Sequence, residues 1–271
     1  MPKCDAQRTM IAMLWSLRGI SGHNSCTQQK YELMQDRYFL PHDYICNPAE
    51  TFDADEAQYW DPDRADASLA YQADFYAWAL SIIREQGLAS IADFGCGTAA
   101  KLAWIHEQVP SLKCCGLDQP NAISLCQSQY SFGEWLQCDL DSPESLEKRC
   151  FDLIVASDVI EHLENPDNLL ATMRRFATPD TLLMLSTPER LMLRGEHTRR
   201  SGNRYHVREW SQLEFSQYLE SRDIEIISHR MLPAFKFTHS ASFTLRALKR
   251  WARLKTIRYN QCVLARFRPV A

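Results

Sequence analysis

The sequence predicts an α/β fold built on a parallel sheet, and three observations carry that prediction. From about residue 88 onward, short apolar runs alternate with stretches of helical spacing, the pattern of βαβ units. Phe151 to Val159 is a near-continuous apolar run, as a strand covered on both faces requires. Ile91-Ala-Asp-Phe-Gly-Cys-Gly-Thr-Ala-Ala100 joins an apolar run to a helical pattern through two glycines one residue apart. That stretch fits a strand, a tight turn and a helix N-terminus. Glycines suit the turn because the backbone must bend sharply and let a ligand approach with no Cβ in the way.

Taken in order, residues 1 to about 28 carry little pattern. Met10 to Leu17 is apolar but far shorter than the ~20 residues a bilayer span needs, and fits a packed N-terminal helix. Residues 31–60 bring aromatics (Tyr31, Tyr38, Phe39, Tyr44, Phe52, Tyr59, Trp60) among prolines. Ala65 to Gln86 spaces Leu69, Phe75, Tyr76, Ala79, Leu80 and Ile83 as a helix, and Gly87 ends it. Strands are expected near 90–94, 113–118, 134–139, 152–158 and 181–187, with helices near 98–108, 120–130, 143–149 and 166–177. Asn165 and Pro166 supply a cap and a first-turn proline for the last of these. A helix over 210–219 and a strand over 223–232 follow. A basic, apolar-striped stretch at 243–254 reads as a helix, within an insertion at about 241–257, and 261–267 is a final strand. The chain thus divides into a cap, 1–87, and a core, 88–271.

Composition sets outer limits. Apolar content of 45% and charge of 24% are ordinary for a globular protein, and a net charge of −4 argues against a general polyanion binder. Nucleic acid is therefore not an expected partner. The charge is uneven: Asp43 to Asp74 holds nine acids and one base, and Ile226 to Ala271 holds ten bases and no acid. Ten cysteines show no zinc-finger or Cys-x-x-Cys spacing, which fits reduced thiols in a cytoplasmic enzyme. No transmembrane segment is expected, and the oligomeric state is open.

Polar residues end the strands in order: Asp93 with Gly95, Cys96 and Gly97; Asp118 with Gln119; Asp139 with Leu140; Ser157 with Asp158. An acid 21 residues after Gly97 is where a ribose diol is held. In this ordered set the chain resembles the class I S-adenosylmethionine-dependent methyltransferases. The matching segments are Asp93-Phe-Gly-Cys-Gly97, Gly116-Leu-Asp118, Gln137-Cys-Asp-Leu140, Phe151 through Asp158 with Glu161-His162-Leu163, and Leu185-Ser-Thr-Pro188. The family's third loop glycine is Ala99 here.

The resemblance implies a Rossmann-like, seven-stranded, mostly parallel sheet with helices on both faces and an N-terminal helical cap that lines the substrate pocket. It implies an antiparallel last strand. It also implies S-adenosylmethionine as cofactor, with Asp93 near the amino-acid end, Asp118 on the ribose and Asp139 on the adenine amino group. Gly95, Cys96, Gly97, Gln119, Leu140 and Ser157 would complete that site.

Asp158-Val-Ile-Glu161-His162 lies at the sheet edge where ligands bind. If helical, its offsets of three and four bring three side chains together. His162 and His206 are candidate general bases. With Asp158 and Glu161 they are also candidate ligands for a divalent metal. Two metal-using families, the ubiquinone-pathway O-methyltransferases and the small-RNA 2′-O-methyltransferases, have a similar Glu-x-x-Glu-His, with Asp158 replacing the first glutamate. Arg190, Arg194, Arg199, Arg200 and Arg204 either hold an anionic substrate group or form a solvated loop. The leading expectation is methyl transfer to a small molecule or saccharide, at oxygen. The alternatives are a metal-assisted RNA 2′-O-methyltransferase and an NAD-linked oxidoreductase.

Overall fold

The computed structural model describes residues 37–49, 71–143, 146–235 and 258–269. These form a seven-stranded sheet of order β3-β2-β1-β4-β5-β7-β6. The strands are β1 (Ser90–Phe94), β2 (Lys113–Asp118), β3 (Gly133–Gln137), β4 (Leu153–Ser157), β5 (Leu182–Pro188), β6 (Ile224–Pro233) and β7 (Tyr259–Phe267). Strands β1 to β5 run parallel, and β7 pairs antiparallel with both β5 and β6. The helices are α1 (Ala73–Gln86), α2 (Ala100–Gln108), α3 (Pro120–Gln129), α4 (Pro166–Arg175), α5 (Arg190–Arg194) and α6 (Gln212–Glu220).

Strand periodicity divides the core into two faces. Ile91, Leu153, Val155, Leu182 and Met184 pack with α1, α2 and α3 residues such as Ile83, Ile105 and Ile123. Ala92, Phe94, Ile154, Ala156, Leu183 and Leu185 pack with Leu169 and Met173 of α4 and with Phe215 and Leu219 of α6. Both faces are therefore covered, which is why β4 and β5 are apolar throughout. Tyr38 and Tyr44, from the segment before α1, belong to the α4/α6 face. Strand order reverses between β1 and β4, and ligands bind above the carboxyl ends of strands at such a switch point.

Differences from the sequence reading have physical causes. The described residues of the helix expected near 143–149, 143 and 146–149, have no helical structure; just before them Asp139 accepts from the Asp141 amide, and Asp141 accepts from the Glu164 and Asn165 amides. The 158–162 segment is a single 3₁₀ turn, Ile160–His162, not a helix. Asp158 precedes it in the left-handed conformation at φ 55. The short helix α5 went unforeseen; Glu189 caps it by accepting from the Met192 amide at 2.6 Å. The packed N-terminal helix, the 65–70 part of the helix before β1, and the basic helix at 243–254 lie outside the described residues. No described helix is long and apolar enough to cross a membrane.

The glycine turn after β1 is strained on purpose. Gly95 has φ 80, and a Cβ there would stand 2.4 Å from Val159 Cγ2. Gly87, at φ 64, has nothing within 4 Å of the same position. Alanine at Gly87 is expected to cost about 1–2 kcal/mol from backbone strain alone. Alanine at Gly95 adds overpacking of about 1–3 kcal/mol. Denaturant midpoints of the two variants measure this; equal losses would refute the packing argument.

On the α4/α6 face, Asp167 accepts hydrogen bonds from Tyr218 Oη (2.8 Å), Arg222 Nε (3.0 Å) and Arg37 Nε (3.0 Å). Burial alone would raise its pKa, but these donors outweigh it and hold the carboxyl below the ordinary value. A depressed carboxyl stabilises the fold above its unfolded pKa of about 4 and loses that contribution as pH falls through the folded value. Asp167→Asn should cost about 1–2 kcal/mol at pH 7, with the gap from the parent protein closing below about pH 4. Urea melts across pH test it, and a gap that stays unchanged from about pH 5 to about pH 3 would contradict the assignment.

Candidate active site

The site is built at the carboxyl edge of β1, β2, β4 and β5, beside the amino end of the antiparallel β7. Asp118, the last residue of β2, accepts from the Gly97 amide (2.7 Å) through Oδ2 and from the Gln119 amide (2.7 Å) through Oδ1. The carboxylate thereby fixes the glycine turn to the start of α3. The turn is further tied down by Gly95 N donating to Leu117 O at 2.7 Å. Ala99, in place of a glycine, is left-handed at φ 56 and caps α2 without a side-chain hydrogen bond. The chain accepts that strain to keep the turn's shape. Cys96 is buried within it. Asp139 is exposed at the third strand end, and its Oδ1 accepts from Asp141 N at 2.9 Å. Leu140 beside it is buried.

Asp93, 1% exposed, accepts from Tyr76 Oη at 2.9 Å through Oδ2, while its Oδ1 is buried without a partner. Burial pushes its pKa up to about 7, against the opposing pull of the Lys101 charge and the Tyr76 hydrogen bond. This is the behaviour of a carboxyl awaiting a donor.

Asp158 has the opposite setting. It accepts from Gln72 Nε2 (2.8 Å), Ser186 Oγ (2.7 Å) and Asn260 Nδ2 (2.6 and 2.7 Å). Ser157 Oγ lies 2.8 Å from the same Ser186 hydroxyl. The carboxylate expected among the metal ligands is therefore spent on joining α1, β5 and β7.

The remaining candidates do meet. Glu161, His162 and His206 each offer a ligand atom, all within 4.8 Å of one another, and the imidazole rings cross at a centroid distance of 4.8 Å. Arg208 makes the meeting possible. Its guanidinium, buried over the Tyr38 ring at 4.4 Å, donates to the Leu163 and Glu164 carbonyls (both 2.9 Å), clamping the 3₁₀ turn to the 205–210 loop. His162 Nδ1 lies 2.8 Å from the Tyr205 carbonyl. A carbonyl only accepts, so Nδ1 carries the proton and Nε2 the lone pair. Burial, helped by the neighbouring His206, pushes His162 down to about 4, so it is neutral at pH 7.

His206 Nδ1 lies 2.7 Å from Glu209 Oε1. Glu209 also accepts from Ser201 Oγ (2.7 Å) and from both Arg194 nitrogens (2.9 and 3.1 Å). Burial opposes ionisation there, but these donors prevail and hold Glu209 at about 2. Glu161 Oε2 accepts from Thr187 Oγ1 at 2.9 Å and Oε1 is buried without a partner; burial first, then Asp158, pushes this carboxyl well up.

The arginine cluster is not one open anion trap: Arg190 is buried and Arg194 and Arg199 are half-buried, while Arg200 and Arg204 are exposed. Arg190 is 2% exposed and pairs with Glu214, Arg194 pairs with Glu209, and Arg199 pairs with Asp43 at 2.6 Å. Arg200 donates to Asn47, and Arg204 lies over the Tyr205 ring. Sequence reasoning missed Glu209, Arg208, Gln72, Asn260 and Lys101. A signal existed only for Glu209, three residues after His206 with an arginine upstream to match it. His106 stacks on Phe132 and His229 bridges Ser216 and Gln261, away from this chemistry.

A family model described as a methyltransferase domain matches residues 72–254. Among solved structures, the plantazolicin methyltransferase BpumL with SAH is 17% identical, covering 89% of this chain and 99% of that one at TM-score 0.52. The plantazolicin methyltransferase BamL, with a triazolic substrate analogue and SAH, is 13% identical over 88% and 96% at TM-score 0.53. A methyltransferase complexed with its activator from Haloferax volcanii is 11% identical over 81% and 100% at TM-score 0.57. No curated protein matches the chain in sequence. The structural likenesses show the fold. The family match, over more than half the chain, overturns the NAD-linked oxidoreductase alternative. The glycine turn, with its left-handed backbone and the orphaned Asp93 oxygen beside it, fits the cofactor this chemistry requires, and the chain belongs to the methyltransferase-domain family, as an S-adenosylmethionine-dependent enzyme.

Proposed function

We propose that the protein moves a methyl group to a hydroxyl oxygen of a small molecule or saccharide, with His206 as general base and Glu209 as its positioning partner. The observation that carries this is the His206–Glu209 contact of 2.7 Å at the strand ends, beside a second, neutral imidazole. Sulfonium methyl donors are already activated, so the protein's work is to align the nucleophile and remove its proton. An alcohol needs that removal, and an imidazole whose far nitrogen is held by a carboxylate is suited to it. The carboxylate fixes the tautomer and stabilises the imidazolium that forms. His162 then orients the acceptor hydroxyl through its lone pair. Asp118 and Asp139 would take the ribose and the adenine amino group; Asp93 would take the ammonium.

A second reading rests on the same trio. Two imidazoles and a carboxylate suit a borderline divalent metal, which would act as a Lewis acid on the acceptor oxygen. Glu161, His162 and His206 would hold it, and the orphaned Glu161 Oε1 supports this. Against it, ligands about 2.1 Å from one tetrahedral ion stand ~3.4 Å apart. The trio, spread over up to 4.8 Å, must therefore close first. RNA as acceptor gains no support from the net charge of −4.

S-adenosylhomocysteine, present at 100 times its Kd, should raise the melting temperature by the equivalent of about 2.7 kcal/mol of stability. Asp118→Ala should abolish that rise measured from its own baseline. The base assignment is tested with a panel of hydroxylated acceptors. His206→Gln should lower kcat by about 10²–10⁴ without weakening cofactor binding, and Glu209→Gln should lower it less and move the pH profile. A chelator should leave turnover intact; turnover lost to chelation and restored by a divalent ion would transfer His206 from base to ligand.

A further inference from the structure

Two consecutive peptide groups, Leu163–Glu164 and Glu164–Asn165, are held at both ends by side chains of opposite charge. Their carbonyls accept from Arg208 Nη1 and Nη2, both at 2.9 Å. Their amides donate to Asp141 Oδ2 and Oδ1, both at 2.7 Å. A guanidinium fork and a carboxylate fork thus face each other through two adjacent peptide units. Each charge lies at the end of the peptide dipole that favours it, the cation at the oxygens and the anion at the N–H groups. Hydrogen bonds in such a chain polarise one another, so the four act as one unit.

Asp141 is itself held in place. Its amide donates to Asp139 Oδ1 at 2.9 Å, and its carbonyl accepts from Asn168 Nδ2 of α4. The bracketed peptides directly follow the 3₁₀ turn that carries Glu161 and His162. On their other side, Arg208 stands two residues after His206 and one before Glu209, and its own amide donates to the Glu161 carbonyl at 3.4 Å. His162 Nδ1 reaches the Tyr205 carbonyl, and the His162 and His206 rings cross. The turn and the 205–210 loop are therefore tied to each other, and Asp141 anchors both to the loop that follows β3.

We propose that Asp141 is a positioning residue: acting through the two peptide groups and Arg208, it holds the His162–His206 pair in place, and with it the His206–Glu209 contact. This rests on the reading of His206 as general base. The alternative is that Asp141 only staples its own loop to α4, and the test separates the two.

The experiment is proton NMR of the full chain carrying nitrogen-15-labelled histidine. An ionised Glu209 only accepts, so the proton of the 2.7 Å contact lies on His206 Nδ1. That proton should resonate far downfield and exchange slowly with water, and His206→Gln should remove it. Asp141→Ala should speed its exchange about tenfold, although His206, Glu209 and Arg194 are untouched. Asp141→Asn should do nearly the same, because its amide nitrogen cannot accept from the second N–H. Gly87→Ala, strained ahead of β1 and away from the site, should change the exchange by less than about twofold. Arg208→Lys keeps the cation but not the fork. Its loss of melting temperature should be smaller in the Asp141→Ala background than in the parent. Additive losses would show two separate contacts and overturn the bridge. Unchanged exchange in both Asp141 variants, or equal acceleration in Gly87→Ala, would confine Asp141 to a structural role and overturn the proposal. A parent protein with no downfield His206 resonance would overturn the base reading, and the proposal with it.

Discussion

The Asp158 carboxylate is the interaction on which the crevice depends. It sits at the end of β4 in a left-handed conformation and collects donors from α1, β5 and β7. The residue is only half-buried, and these donors occupy both of its oxygens. With them it becomes a rigid junction between three elements far apart in sequence. The consequences are geometric. The residue before α1 is held over the glycine turn, the antiparallel β7 is drawn to the active edge, and the 3₁₀ turn carrying Glu161 and His162 starts from a fixed point.

A second junction places the other half of the site. Glu209 gathers His206, Arg194 and Ser201, and Arg208 reaches back to the carbonyls after His162. The segment at 37–49 closes this loop from outside: Asn47 Nδ2 donates to the Asn203 (3.0 Å) and His206 (2.9 Å) carbonyls, and Trp210 Nε1 donates to the Tyr38 carbonyl at 3.0 Å. Arg194 therefore serves the placement of one histidine. The charges of Arg190, Arg194 and Arg199 are met by carboxylates of the protein itself.

Much of this was legible in the sequence because its causes are local. Alternating apolar runs located β1, β2, β4 and β5 within a residue or two, since a strand buried on both faces has few other ways to be written. The glycine pair and the acids at strand ends follow from backbone geometry and hydrogen-bonding capacity. Long-range hydrogen bonding was not legible. Asp158 and Asp93 look alike as strand-end acids, and nothing local says that Asn260, 102 residues away, will satisfy one of them. Nor does propensity contain the contacts just before 143, where Asp139 accepts from the Asp141 amide and Asp141 from the Glu164 and Asn165 amides.

The contrast between those two aspartates shows which carboxyl the fold leaves unsatisfied. Asp158, with donors on both oxygens, already has inside the protein what an ionised carboxylate needs. Asp93, one strand over, has a single hydroxyl and an empty oxygen, and burial drives it up to about 7. An incoming ammonium gains most where the apo protein is least satisfied, because it removes a desolvation cost that folding has already incurred. The left-handed backbone at Gln72, Ala99 and Asp158 keeps the crevice in its shape.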